Sequence, residues 1–367
     1  MSEDQTAITA TLMRGGSSKG LYFISADLPE NVALRNAVLL AALGSPDDRQ
    51  IDGIGGAHPL TSKVAIISPS EISGIDVDYL FLQIKVDEPI VSEGQNCGNI
   101  LAGVGPFAIE NNLLTAKDGQ TDVSIRMVNS GALAIARVQT PNRQVAYQGT
   151  AKIDGVPGHA APILLDFKDL AGSSCGSLLP TKNVVDEVDG INVTCIDNGM
   201  PVVVMQAADF GKTGEESPAE LEADLALAQR IESMRLTLGL MMNLGDVTHK
   251  TVPKMTLVAA PKKGGTISTQ SFIPHRVHEA IGVLAATTVA AACLIPCSVA
   301  HKVANTSTSQ NMHRLEIEHP SGSVSVDIEL SITDDGVVIH HSALLRTARK
   351  IMQGQVFVPT SLFESKP

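Results

Sequence analysis

One pattern occurs twice along this chain, and it limits the folds available more than any single motif. Ala10-Thr-Leu-Met13 reads as a strand, Arg14-Gly-Gly-Ser-Ser-Lys-Gly20 as a polar turn, and Leu21-Tyr-Phe-Ile24 as a second strand leading to Ala26-Asp27-Leu28. Near residue 193 the order returns: Val193-Thr-Cys-Ile196, the turn Asp197-Asn-Gly-Met-Pro201, then Val202-Val-Val-Met205 leading to Ala208-Asp209-Phe210. An amphipathic helix follows in each half, over about 31–43 and about 218–238, ended by Gly44-Ser45-Pro46 and near Gly239. Next, Lys63 and Lys254 each open a β-rich run, with more strand over 77–86 and 266–272. Each half then enters a helix that is apolar nearly all round, 97–109 and about 275–295. Such helices are enclosed on every side. Strands joined by tight turns close each half, at Asn129-Ser130-Gly131 and His319-Pro320-Ser321-Gly322.

The repeat predicts an α+β chain of two similar domains, 1–186 and 187–367, each a curled mixed β-sheet or barrel around one central buried helix. The final strand is free to return to the first domain. The segment 150–189 has no copy and is expected to complete the first domain. Both central helices can aim their N-termini at one cleft between the domains, where ligands gather.

Composition narrows the partners. With 367 residues and 44% apolar content, the chain can fill two cores. Aromatic residues are only 3% and Trp is absent, so stacking platforms for bases are scarce. The net charge of −12, with no basic run, argues against nucleic acid and anionic membrane. A small anionic substrate stays open, because local dipoles and single cations override the mean field. Met1–Thr11 lacks the regions of a signal peptide, and the longest apolar stretch, 280–295, is short for a bilayer span. Five irregularly spaced cysteines suggest a reduced, cytoplasmic chain without disulfides. Cys293 and Cys297 lack a second Cys/His pair at zinc spacing, so no metal is expected. A homodimer is left open.

The chemistry centres on Asn96-Cys97-Gly98-Asn99, just before the first central helix. A thiol at a helix N-terminus meets unpaired N–H groups and the positive end of the dipole, which favour thiolate and bind oxygen anions. Such a cysteine can take a proton from carbon or return one; the plainer reading is a buried structural cysteine. Lys63 opens an apolar strand, where it is either a site acid, base or anion clamp, or a solvated edge lysine. The turn holding Ser17 and Ser18 lacks Walker spacing, since Gly20 follows Lys19. It is either a carboxylate cradle or an ordinary hairpin turn. Arg276 and His278, at the expected entrance of the second central helix, are candidates for anion binding or proton donation, against His278 as a merely satisfied helix-start residue. Ser321 is not set in G-x-S-x-G, which weakens a hydrolase reading.

Taken in order, Met13–Gly20, Gln50-Ile-Asp-Gly-Ile-Gly-Gly56, Thr61-Ser-Lys-Val-Ala65, Asn96–Asn99, Ile196–Pro201 and His319–Gly322 resemble the PrpF family of isomerases, which share the diaminopimelate epimerase fold. The likeness runs from about residue 8 to residue 359. Ser17 stands where many members have Thr, and a hydroxyl survives. The epimerase parent places a second cysteine at the second central helix; 275–282 holds none, which argues against a two-cysteine racemase. The resemblance implies Lys63 and Cys97 as the catalytic pair. It implies Ser17, Ser18, Asn96, Gly98, Asn99, Ser321 and Gly322, with Arg276 and His278, as residues that bind an unsaturated di- or tricarboxylate. No metal or organic cofactor is implied. The implied reaction is a keto–enol shift of 4-oxalomesaconate, as in gallate or protocatechuate breakdown, or a 1,3-allylic shift of it, aconitate, methylaconitate or methylitaconate. A carboxylate-binding protein without catalysis is the alternative from another class.

Overall fold

The structure is a computed structural model that describes residues 4–168, 170–306, 312–333 and 336–364. The outer limits of the expected domains, residues 1 and 367, lie outside the described residues. The first half contains β1 (Gln5–Gly15), β2 (Ser18–Ile24), α1 (Val32–Leu43), β3 (Lys63–Pro69), β4 (Val77–Ile84), β5 (Val91–Ser92), α2 (Gly98–Glu110), β6 (Gly119–Met127), β7 (Leu133–Thr140) and β8 (Ile163–Lys168). The second contains β9 (Asp186–Val188), β10 (Ile191–Asp197), β11 (Pro201–Gln206), α3 (Pro218–Ala223), α4 (Leu225–Met241), β12 (Lys254–Ala259), β13 (Ile267–Phe272), α5 (Val283–Leu294), β14 (Met312–His319), β15 (Gly322–Thr333), β16 (Gly336–Arg346) and β17 (Ala348–Pro359).

The repeat is one of hydrogen bonding. β1, β2, β3, β4, β6, β7 and β8 pair in that order as antiparallel, parallel, antiparallel, parallel, antiparallel, antiparallel. The series β10, β11, β12, β13, β14, β15, β16 pairs in the same sequence of directions. β8 is therefore the counterpart of β16, and the segment that seemed uncopied holds a repeated strand between two irregular stretches. β8 and β16 also pair with each other, and β17 runs antiparallel along β1 from Gln5↔Pro359 to Gly15↔Ala348.

Helices cover both faces of this sheet network. α1 packs on Leu21, Phe23, Val64, Ile66 and Leu82, with Asn31 capping its start by accepting from Leu34 N at 3.0 Å and Gly44 in the left-handed region ending it. α4 packs on Val203, Met205 and Met255. The central helices α2 and α5 share one buried cluster, in which Leu101, Val104 and Phe107 join Val283, Leu284 and Val289. Their first turns touch: a side chain at Gly98 would come within 2.7 Å of the Val283 side chain.

Two helix boundaries differ from expectation. The second amphipathic helix breaks at Asp224 (φ −84, ψ 88), whose carboxylate accepts from Leu227 N at 3.0 Å and starts α4. The second central helix does not extend back to residue 275. Pro274, the Ile273 N to Arg276 O bond at 2.7 Å, and the Phe272–Val277 bridge fold 272–278 into a tight loop, and extended Gly282 caps α5. His275, Arg276 and His278 thus lie in that loop and not on a helix. Among the described residues no helix is long and apolar enough to cross a membrane.

Close packing of α2 yields a stability prediction. A side chain at Gly103 would overlap the Tyr22 phenol, which is fully buried and donates to Ile100 O at 2.6 Å. Alanine gains about 1 kcal/mol of helix propensity, but overpacking costs about 1–3 kcal/mol. Gly103→Ala should therefore lower the denaturation midpoint, and thermal melts of the two proteins check it.

Candidate active site

The start of α2 is assembled from three segments. Cys97 is its N-cap in extended conformation (φ −133, ψ 99), half-buried, with no side-chain capping bond. Its carbonyl accepts from Leu101 N at 3.0 Å and Tyr79 OH at 3.1 Å, so the backbone is pinned while the thiol has no capping duty. The β1–β2 turn sits on this first turn. Asn99 donates from Nδ2 to Ser17 Oγ at 3.2 Å, and side chains at Gly15 or Gly16 would overlap the Asn99 carbonyl or amide. Gly16 also requires φ +51. Asn96 donates from Nδ2 to Ser130 Oγ at 2.6 Å. Asn96 Oδ1 and Ser18 Oγ are buried without a partner among the described residues. Each such atom costs about 1–3 kcal/mol, and both belong to segments that meet at this helix start.

Two buried lysines act on one another, and one of them, Lys254, reaches this region. Lys63 is 6% exposed; its Nζ donates to Gln83 Oε1 at 2.6 Å and lies 5.1 Å from the centre of the Phe81 ring. Lys254 opens β12 as Lys63 opens β3, and is 7% exposed. Its Nζ donates to Gln95 Oε1 at 3.0 Å and Thr251 O at 2.6 Å. Burial lowers Lys254 to about 7; the charges of Lys63 and Arg235 push the same way, and Cys97 opposes them. Lys254 is thus the shared electrostatic neighbour of Lys63 and Cys97. Among the described residues neither lysine has a carboxylate partner. Buried cations held only by neutral oxygens are expensive alone and favourable once an anion arrives.

The remaining candidates divide. His278 is buried, and its Nδ1 accepts from Ala280 N at 2.9 Å. Burial, then Lys63 and Lys254, push it down to about 3, so its imidazole is neutral beside the lysines. Arg276 turns outward: it is largely exposed and pairs with Glu222 at 2.9 Å, so its charge is already met. Ser321 donates from its backbone N to Glu279 O at 3.1 Å, and its hydroxyl lies 3.3 Å from His319 Nδ1. Gly322 is needed because the Asp154 carboxylate fills the space of a side chain there; Asp154 also accepts from Ser323 N at 2.7 Å.

A cavity of about 160 Å³ lies between the β1–β2 turn and the β14–β15 hairpin, walled by Ser17, Asn99, Asp154, Ile281, His319 and Arg346 among others. Cys97 and Lys63 are not in its wall. His278 is not in its wall either, although His319, which is, joins Lys63 and Lys254 in lowering the His278 pKa. Lys254, Asp154 and Arg346 are brought to these regions by the fold and are not among the residues the sequence singles out as candidates. Only Lys254 had a sequence signal, as the repeat-mate of Lys63.

A "(4E)-oxalomesaconate Delta-isomerase" of Novosphingobium sp. (strain KA1) is 59% identical over 346 residues, covering 94% of this chain and 96% of that one. A "4-oxalomesaconate tautomerase" of Pseudomonas putida is 56% identical over 354 residues, covering 96% and 97%. The solved structure of a methylitaconate-delta-isomerase superposes with a TM-score of 0.80 at 34% identity, covering 99% of this chain and 98% of that one. A hydroxyproline epimerase at 13% identity and TM-score 0.55 shares the fold. The family model described as PrpF protein matches residues 5–359, so this chain, with its doubled sheet and paired central helices, belongs to the PrpF family.

Proposed function

We propose that the chain is an isomerase of unsaturated di- and tricarboxylates, with 4-oxalomesaconate its first candidate substrate and a keto–enol shift its reaction. The observation that carries this reading is two buried lysines without carboxylate partners among the described residues, of which Lys254 neighbours both Lys63 and the half-buried Cys97 at a helix N-terminus. Cys97 and Lys63 divide the two proton transfers: one group takes the proton acidified by a neighbouring carbonyl or double bond, and the other returns one elsewhere. Charge spreads over the enolate between the steps. The N–H groups opening α2 and the hydroxyls of Ser17 and Ser18 hold carboxylate oxygens there. Proton transfer needs only these side chains, so the proposal assigns no cofactor.

A second reading, a 1,3-allylic shift, is favoured by the name of the 59%-identical relative. The two differ in where the proton lands, on oxygen or on carbon. Proton NMR of 4-oxalomesaconate, aconitate, methylaconitate and methylitaconate in heavy water with the purified protein separates them. We expect turnover of 4-oxalomesaconate with loss of one carbon-bound proton and no deuterium gained at the distal carbon, where its appearance would mark the allylic shift. Binding without turnover of all four acids would replace this reading with a non-catalytic carboxylate-binding protein.

A further inference from the structure

We propose that Lys254 is a second catalytic amine, whose ammonium contacts the substrate oxygen that gains charge as Lys63 and Cys97 move the proton. The proposal rests on the isomerase reading and adds a residue to it. Lys254 occupies, in the second half, the strand position that Lys63 occupies in the first: each opens the strand that runs parallel to the second strand of its half. Each ammonium is buried and held by a glutamine side-chain oxygen, Gln83 for Lys63 and Gln95 for Lys254. Gln95 lies two residues before Cys97, so Lys254 reaches from the second half to the thiol's own segment. An ammonium has three N–H donors, and Lys254 spends two, on Gln95 and Thr251. The third has no partner among the described residues.

The chemistry balances without another reagent. The base takes the proton, the C–H electron pair moves into the conjugated system, and negative charge appears on a carbonyl or carboxylate oxygen. Lys254 donates a hydrogen bond to that oxygen throughout and stays protonated. The proton then returns to oxygen or to the distal carbon, and the charge leaves.

The groups acting on Lys254 are Lys63, Arg235, Cys97 and His278. Lys63 and Arg235 push the Lys254 proton off, Cys97 acts the other way, and His278 is neutral. Lys254 is charged below about 7 and loses its proton above that pH. Anion binding should therefore be tightest below pH 7 and weaken as pH rises.

The test uses the intact protein, Lys254→Met and Lys254→Arg, with turnover of 4-oxalomesaconate and calorimetric binding of the unreactive tricarballylate. Methionine should fold, because Gln95 Oε1 keeps the Thr251 hydroxyl at 2.9 Å as a donor. We expect Lys254→Met to lower kcat/KM by about 10²-fold and to weaken tricarballylate by at least tenfold. Lys254→Arg, always charged, should keep most of the binding and flatten its decline between pH 7 and 9. A packing role alone would leave the pH dependence of Lys254→Arg like that of the parent. Wild-type turnover with an unaltered Lys254→Met overturns the inference and spares the isomerase reading. Wild-type binding without turnover overturns the reading, while the affinity of Lys254→Met still decides whether the amine meets the anion. Absence of both activities in the wild type overturns both.

Discussion

Lys63→Met should lower kcat/KM by about 10³-fold, within the 10²–10⁴ range that a positioned acid or base supplies, while leaving the thermal midpoint unchanged or raised. The two halves of this outcome have separate causes. Methionine matches the length of the buried stem and fills its space against Phe81. It also removes a buried charge whose acceptor, Gln83 Oε1, is neutral, so no carboxylate is left stranded. The proton carrier, however, is gone. Lys63→Arg should fail similarly, because a guanidinium does not release its proton at working pH. Steady-state kinetics alongside a thermal melt checks both halves. Activity within threefold of the parent in Lys63→Met would take the amine out of the reaction.

Cys97→Ser should lose about 10²-fold in kcat, with KM changed little. A hydroxyl fits where the thiol sits, and the backbone of Cys97 stays fixed by Leu101 and Tyr79. Its proton is much harder to remove, so the transfer assigned to the thiol slows while carboxylate contacts at the start of α2 persist. If Lys63 is the group that takes the proton, Cys97→Ser should still exchange substrate hydrogen for solvent deuterium faster than it forms product. If the thiol takes it, exchange and isomerisation should fall together. Proton NMR in heavy water reads both rates in one tube.

Much of this arrangement was legible in the sequence because it is local. The doubled strand–turn–strand pattern, the helix opening after Cys97 and the lysine heading each β-rich run all follow from short-range periodicity and turn chemistry. What escaped depends on contacts between distant segments. Asp154 meets Gly322 and Ser323 from 169 residues away along the chain, as counted to Ser323. The burial of Lys254 depends on Gln95, 159 residues away. The start of α5 is hard to read because no proline interrupts 275–282, whereas its amides are committed to a loop after Pro274. Arg276 is a candidate only by its proximity to that expected start, and Glu222 pairs with it on the surface.

The central claim is that a thiol on α2 and an amine on β3 address one bound acid. A crystal structure of the wild-type protein with tricarballylate tests it most directly. The account predicts a carboxylate at the α2 N-terminus, with the ligand's carbon skeleton within about 4 Å of both Cys97 Sγ and Lys63 Nζ, near-attack spacing being roughly 3–3.5 Å. A ligand seated with either group turned away from it, or lodged wholly in the Asp154–His319–Arg346 cavity, would contradict it.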